Sequence, residues 1–215
     1  EGQANESTFL IDVVTTNKTD FFREPKHFEF MQQEALPTLA SNGHNRLRVW
    51  SSACSTGAEP YTLAMILQDA QDQGTISEYN ILATDLSTEV LEKAIRGVYS
   101  LDMVDPVPRD FSKKYVMTAT DSRRKEVRIS PKLRSRVSFA RMNLMDNVYE
   151  VGSPMHIIFC RNVLIYFERD KQIHVLKNLC RNLLPGGYLM IGHSESITGI
   201  DLPVKQVANT IFIKR

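Results

Sequence analysis

Glu59 and Asp85 are the residues of this chain whose type and placement point most directly to chemistry. Arg46-Leu47-Arg48-Val49-Trp50-Ser51 reads as a strand, and Ser52 to Pro60 as a tight turn entering a helix that carries Leu63, Ile66 and Leu67 on its apolar side. Asn80-Ile81-Leu82-Ala83-Thr84-Asp85 is a second apolar strand ending on a carboxylate. In open α/β sheets ligands bind outside the carboxyl ends of the strands, where an acid commonly accepts the hydroxyls of a ribose. The pattern is that of a nucleoside-cofactor site.

The turn narrows the choice of cofactor. A dinucleotide favours G-x-G-x-x-G after the first strand, because each glycine lets the backbone approach a pyrophosphate. Here the turn holds a single glycine, Gly57, and the Lys-Ser/Thr ending of a phosphate-cradling P-loop is absent. An adenosine cofactor without phosphate fits, and S-adenosylmethionine is the common one. Its positively charged amino group and sulfonium favour nearby acids such as Glu59.

The elements that must position these residues follow an α/β rhythm. Thr19-Asp20 is a candidate cap ahead of one or two helices, interrupted by Pro25 and ended near Pro37. Ser87 caps a helix through Val90, Leu91, Ala94 and Ile95, with Glu89 near its positive end and Gly97 as its stop. From about Tyr99 to Lys132 the rhythm breaks: Lys114-Tyr115-Val116-Met117 and Glu126-Val127-Arg128-Ile129 read as a small antiparallel hairpin inserted in the main sheet. Val137 to Ala140 and Met155 to Cys160 then read as buried strands. A helix is predicted over 169–184, stopped by Pro185-Gly186-Gly187, and Tyr188 to Ile191 and Thr210 to Ile213 complete the sheet.

Composition limits the function classes. With 215 residues, 42% hydrophobic and 24% charged, the chain can bury one sizeable core and is neither disordered nor fibrous. Its apolar runs fall far short of the roughly 20 residues needed to cross a bilayer, so a cytoplasmic location without membrane insertion is expected. Cys54, Cys160 and Cys180 are odd in number and lack C-x-x-C pairing, which predicts buried free thiols and no structural metal. Between Arg109 and Arg141 eleven Lys or Arg face three acids, a local charge of +8 that leaves −7 for the rest of a chain of net charge +1. Such a field attracts an acidic partner. Nucleic acid is the poorer match, since no aromatic side chains interleave Arg123, Arg124 and Lys125 and the Asn-Pro-Pro-aromatic motif of many base-amine methyltransferases is missing.

Four blocks in order carry a family resemblance: Thr15-Thr16-Asn17-Lys18-Thr19-Asp20-Phe21-Phe22-Arg23-Glu24; Val49-Trp50-Ser51 through Gly57-Ala58-Glu59-Pro60-Tyr61; Phe159-Cys160-Arg161-Asn162-Val163-Leu164-Ile165-Tyr166-Phe167; and Gly192-His193-Ser194-Glu195. The chain resembles the chemotaxis receptor methyltransferases of the CheR family over roughly residues 15 to 214. The resemblance implies a Rossmann-like class I methyltransferase sheet with helices on both faces and a small inserted antiparallel β-subdomain. It also implies transfer of a methyl group from S-adenosyl-L-methionine to glutamate side chains on the cytoplasmic helices of a chemoreceptor, leaving S-adenosyl-L-homocysteine and requiring no metal.

The domain organisation expected from this likeness is a linker or remnant of a missing N-terminal helical domain over 1–18 and a methyltransferase domain over 19–215. The inserted subdomain covers about 99–135, and the molecule is expected to be a monomer. In some members this subdomain also docks a short peptide from the receptor C-terminus through a glycine-containing loop; here Thr118 to Glu126 contains no glycine. Carried over by position, Asn17, Thr19 and Arg23 line the mouth where cofactor and substrate meet, Glu59 and Asp85 bind the cofactor, Asn143 and Leu144 lie near the adenine, and Asn162 and Val163 lie beside the methionine portion. Arg23 and Tyr166 are the candidate catalytic residues. His193, at a strand end, reads as structural.

Overall fold

In the computed structural model residues 19–121 and 123–215 are described. Helix α1 begins at Pro25, where a proline at the first helical position loses no hydrogen bond, and runs as Pro25–Phe30, a π-turn Met31–Ala35 and Leu36–Ser41. The helix therefore passes through Pro37 instead of ending there. The wide turn immediately ahead, closed by Leu36 N–H to the Met31 carbonyl, shifts the carbonyls that the proline ring would otherwise strike.

Strand β1 (Arg46–Ser51), helix α2 (Ala58–Asp72), strand β2 (Glu78–Asp85) and helix α3 (Thr88–Arg96) follow the predicted order. Ser87 Oγ accepts the Val90 N–H at 3.5 Å and Gly97 closes α3 in the left-handed conformation. Ser87→Ala is expected to lower stability by about 1 kcal/mol, read as a reduced urea midpoint at unchanged m-value.

The inserted subdomain has three strands, not two: β3 (Val98–Ser100), β4 (Val116–Thr118) and β5 (Glu126–Ile129), with β5 in the centre. Lys114 and Tyr115, expected in a strand, close helix α4 (Arg109–Tyr115) instead. Tyr115 is buried, its hydroxyl 3.4 Å from Asp72 Oδ2, and this tertiary contact overrides its strand preference. β3 is too short to show a period, yet its Tyr99 hydroxyl donates to the Thr56 carbonyl at 2.7 Å and ties the subdomain to the β1–α2 turn.

After the short helix α5 (Pro131–Arg134) come β6 (Val137–Arg141), β7 (Met155–Cys160), helix α6 (Arg169–Arg181), and strands β8 (Leu183–Ile191), β9 (Val204–Ala208) and β10 (Ile211–Lys214). β8 takes in Pro185 to Gly187, expected to be a helix stop, at a register shift against β7 that passes over the proline. β9 has no counterpart in the sequence pattern; among the described residues it pairs only with β10, and it is mostly exposed, so it carries no hydrophobic alternation.

The seven-stranded sheet has the order β6-β2-β1-β7-β8-β10-β9, with β10 antiparallel to β8 and β9. Its parallel part grows outward from β1 in one direction and from β7 in the other. Alternate residues feed two cores: Val49, Ile157, Phe159 and Met190 pack with α1, α2 and the subdomain, while Trp50, Ile158, Cys160 and Ile191 pack with α6. Helices thus cover both faces, as expected of a Rossmann-like sheet. Among the described residues no helix is long and apolar enough to cross a membrane.

Candidate active site

The strand order reverses between β1 and β7, and in such sheets the crevice outside the carboxyl ends at that point is the ligand site. Ser51 ends β1, Asp85 ends β2, and Arg161 and Asn162 follow β7. Gly57 opens α2 at φ 94°, and a Cβ there would lie 2.9 Å from both Ala94 Cβ and the Tyr99 hydroxyl, which explains the one glycine the turn needs.

Both predicted acids are rigidly held. Glu59 Oε1 accepts the Ser51 hydroxyl at 2.7 Å and Oε2 accepts Arg161 Nε at 2.7 Å. Asp85 Oδ2 accepts the Ser55 N–H at 2.8 Å and Oδ1 the Ser87 N–H at 3.1 Å. These bonds fix the orientation of both carboxylates.

The opposite wall is built from residues of the first, third and fourth blocks, of which only Asn162 and Val163 carry a predicted role here. Asn162, at φ 57°, directs Nδ2 to Glu24 Oε1 at 3.1 Å. Buried Glu195 accepts the N–H groups of Val163 and Leu164 on Oε1 (2.9 and 2.7 Å) and of Gly192 on Oε2 (2.6 Å). Burial raises the Glu195 carboxyl above its ordinary pKa, and the backbone donors pull it partly back. A Cβ at Gly192 would lie 2.8 Å from Asn162 N, so the two loops touch backbone to backbone. Glu24 is held below the ordinary carboxylate value: burial acts upward, but the Asn162 bond, the Arg161 charge and the His193 N–H outweigh it.

His27 is fully buried, and its pKa is pushed down to about 4 by burial and the Arg161 charge, against the opposing pull of Glu24. Arg161 can only donate, so His27 Nδ1 accepts from it at 3.0 Å and Nε2–H donates to Thr210 Oγ1 at 2.8 Å. Protonation of the unfolded chain near pH 6.5 precedes that of the folded one near pH 4, so stability present above pH 6.5 is lost as pH falls through this window. His27→Gln is expected to flatten the decline of the urea midpoint between pH 6.5 and about 4; an unchanged slope would contradict this assignment. Glu24, His27 and His193 also bring potential ligand atoms within 4.8 Å of one another. The Arg161 guanidinium beside them supplies a fixed positive charge, which disfavours a cation there.

The remaining predicted residues fall around this crevice. Arg23 and Thr19 are half-buried, and the Arg23 carbonyl accepts Arg161 Nη1 at 2.8 Å. Asn143 Oδ1 accepts the Met145 N–H at 2.9 Å, and Leu144 is buried. Asn143 also lines a depression of about 370 Å³ with Leu86, Arg141, Met142 and Asp146, beside the end of β2. Val163 is half-buried, and Tyr166, 46% exposed, donates its N–H to the Val163 carbonyl at 3.2 Å. Asn17 lies outside the described residues. Burial raises the pKa of Cys54, Cys160 and Cys180, so these free thiols stay protonated at neutral pH and supply no nucleophile.

The family model described as "CheR methyltransferase, SAM binding domain" matches residues 17–213. The chain belongs to this family. It is 37% identical over 195 residues to a chemotaxis protein methyltransferase of Borreliella burgdorferi, covering 88% of this chain and 68% of that protein. Chemotaxis protein methyltransferases of Salmonella typhimurium and Escherichia coli are each 38% identical, covering 89% and 94% of this chain and 64% and 69% of their own lengths. The chain thus spans about two thirds of the length of these relatives. Among solved structures, the glycopeptide N-methyltransferase MtfA aligns with 86% of this chain and 60% of its own at 13% identity and a TM-score of 0.43.

S-adenosylmethionine is the cofactor of this CheR domain, and the crevice suits it. Two fixed carboxylates edge the crevice, and the nearby Arg161 is already paired with Glu59 and Glu24. Such a site accepts a cationic nucleoside, whereas a pyrophosphate needs uncommitted cations and the glycine-rich amides that this turn does not provide.

Proposed function

We propose that the chain transfers the methyl group of S-adenosylmethionine to glutamate carboxylates on the cytoplasmic helices of a chemoreceptor, forming glutamyl methyl esters during chemotaxis adaptation in the cytoplasm. The observation that carries the reading is the crevice at the β1–β7 reversal, edged by Glu59 and Asp85, in a chain of the CheR family. When bound, the cofactor supplies an electrophilic methyl carbon on a sulfonium. A solvated glutamate side chain ordinarily titrates at about pH 4.3, so its oxygen is already ionised at neutral pH and needs no general base. Placement of the two reactants is then the main demand on the site.

The residues of the chain act by that placement. Asp85 holds the ribose hydroxyls, Glu59 faces the charged amino-acid end, Asn162 and Val163 flank that end, and Asn143 and Leu144 border the adenine. Thr19 belongs to the mouth. Arg23 orients the acceptor carboxylate and Tyr166, on the exposed rim, faces the reacting centre. Alignment of this kind can contribute about 7 to 11 kcal/mol in favourable cases. The basic subdomain holds the acidic receptor helices by complementary charge, and the enzyme works as a monomer.

The test is transfer of labelled methyl from S-adenosylmethionine to a purified chemoreceptor cytoplasmic fragment, followed by mild alkali. Label released as methanol is the expected result. Alkali-stable label indicates N- or C-methylation and overturns the substrate assignment.

A further inference from the structure

Arg161 is almost completely buried and gathers four partners from two parts of the chain, residues 23–27 and Glu59. Nε donates to Glu59 Oε2 at 2.7 Å, and Nη1 donates to the Arg23 carbonyl at 2.8 Å and to His27 Nδ1 at 3.0 Å while lying 3.7 Å from Glu24 Oε2. Its guanidinium carbon lies 5.1 Å from the Phe28 ring centre and 5.6 Å from that of Phe159, two rings stacked within 12° of parallel. Aromatic faces and hydrogen bonds together define the orientation of the plane. The His27 bond continues to Thr210, in the turn just before β10, whose hydroxyl donates onward to the Asn209 carbonyl.

The segment it holds is strained. Phe22 and Glu24, on either side of Arg23, have φ of 54° and 58°, a region that non-glycine residues enter only when the surroundings impose it. A hydrogen bond to the Arg23 carbonyl, between the two strained residues, is well placed to impose it. The same guanidinium holds Glu59 on the cofactor side.

We infer that Arg161 is a positioning residue for methyl transfer: one buried fork fixes the Arg23 main chain and the Glu59 carboxylate relative to each other, and so sets the acceptor against the cofactor. This rests on the proposed role of Arg23 as the residue that orients the acceptor. Lys at this position restores the charge but has neither the planar fork nor the stacking face, so it separates positioning from neutralisation.

The test uses Arg161→Lys, Arg23→Ala and the double variant. Without substrate, amide exchange over residues 19–28 is expected to rise at least fivefold in Arg161→Lys while α6 is unchanged; unaltered exchange over 19–28 overturns the clamp. With saturating cofactor, Arg161→Lys is expected to lower kcat at least fivefold alone and less than twofold on the Arg23→Ala background. Equal losses on both backgrounds overturn action through Arg23. Wild-type turnover in Arg23→Ala refutes the role assigned to Arg23 and with it the positioning of the acceptor, while the exchange result independently decides the clamp. Should Arg161→Lys fail to fold, His27→Gln keeps Arg161 and loosens only its Nη1; a twofold rise in exchange over 19–28 supports the clamp and none refutes it.

Discussion

Arg23→Lys is expected to lower turnover by at least tenfold while leaving affinity for S-adenosylhomocysteine within a few fold. A negative carboxylate meets a positive sulfonium in this reaction, and both charges shrink at the transition state. A cation that merely attracts the acceptor stabilises the ground state as much as the transition state and does not accelerate the step. What Arg supplies is direction: its planar fork grips one carboxylate in a defined plane and can turn one oxygen toward the methyl carbon, whereas Lys is a point charge on a flexible stem. The Arg23 main chain is held by Arg161 between two left-handed residues, so the side chain starts from a fixed origin. Steady-state kinetics with a receptor fragment, beside calorimetry with S-adenosylhomocysteine, checks both halves. Normal turnover in the variant would remove Arg23 from the mechanism.

Asp85→Asn is expected to weaken cofactor binding roughly 10- to 150-fold, which corresponds to the loss of a charge-assisted hydrogen bond of about 1.5 to 3 kcal/mol. In the folded protein each Asp85 oxygen already accepts a backbone N–H, from Ser55 and from Ser87. An amide retains one acceptor and turns an NH₂ group toward the other donor. The variant therefore also loosens either the turn after β1 or the entry to α3. Calorimetric affinity separates the two effects when thermal unfolding is followed with and without the cofactor: a site residue loses the cofactor-induced rise in Tm, whereas a purely structural one loses Tm equally in both conditions. Unchanged affinity would show that Asp85 serves only the fold.

Much of the frame is legible in the residues because its signals are local. β1, α2, β2 and α3 follow from strand and helix patterns, from the Ser87 cap and from the Gly97 stop, each decided within a few positions of chain. The elements that local patterns misplace are those settled by distant neighbours. Pro37 stays inside α1 because a π-turn makes room for it, Tyr115 ends a helix because it reaches Asp72, and β3 and β9 are strands because partners pair with them. Short or polar segments carry no periodicity of their own.

The candidate site divides in the same way. Asp85 ends β2 and Glu59 stands in the first turn of α2, and both could be named without a fold, since the strand-turn-helix pattern places them on the carboxyl side of the strands. Nothing in sequence spacing could join Glu24, His27, Glu59 and Arg161, which lie up to 138 positions from the crevice partners they bond and meet only when α1 packs across β7. The family, the sheet class and the two acids beside the β1–α2 turn and at the end of β2 were legible from residue type at local spacing. Which charge pairs with which, and which side chain holds Arg23 in place, was decided only by the tertiary structure: a buried guanidinium must be satisfied by whatever acceptors the packed chain brings within reach, wherever they lie in the sequence.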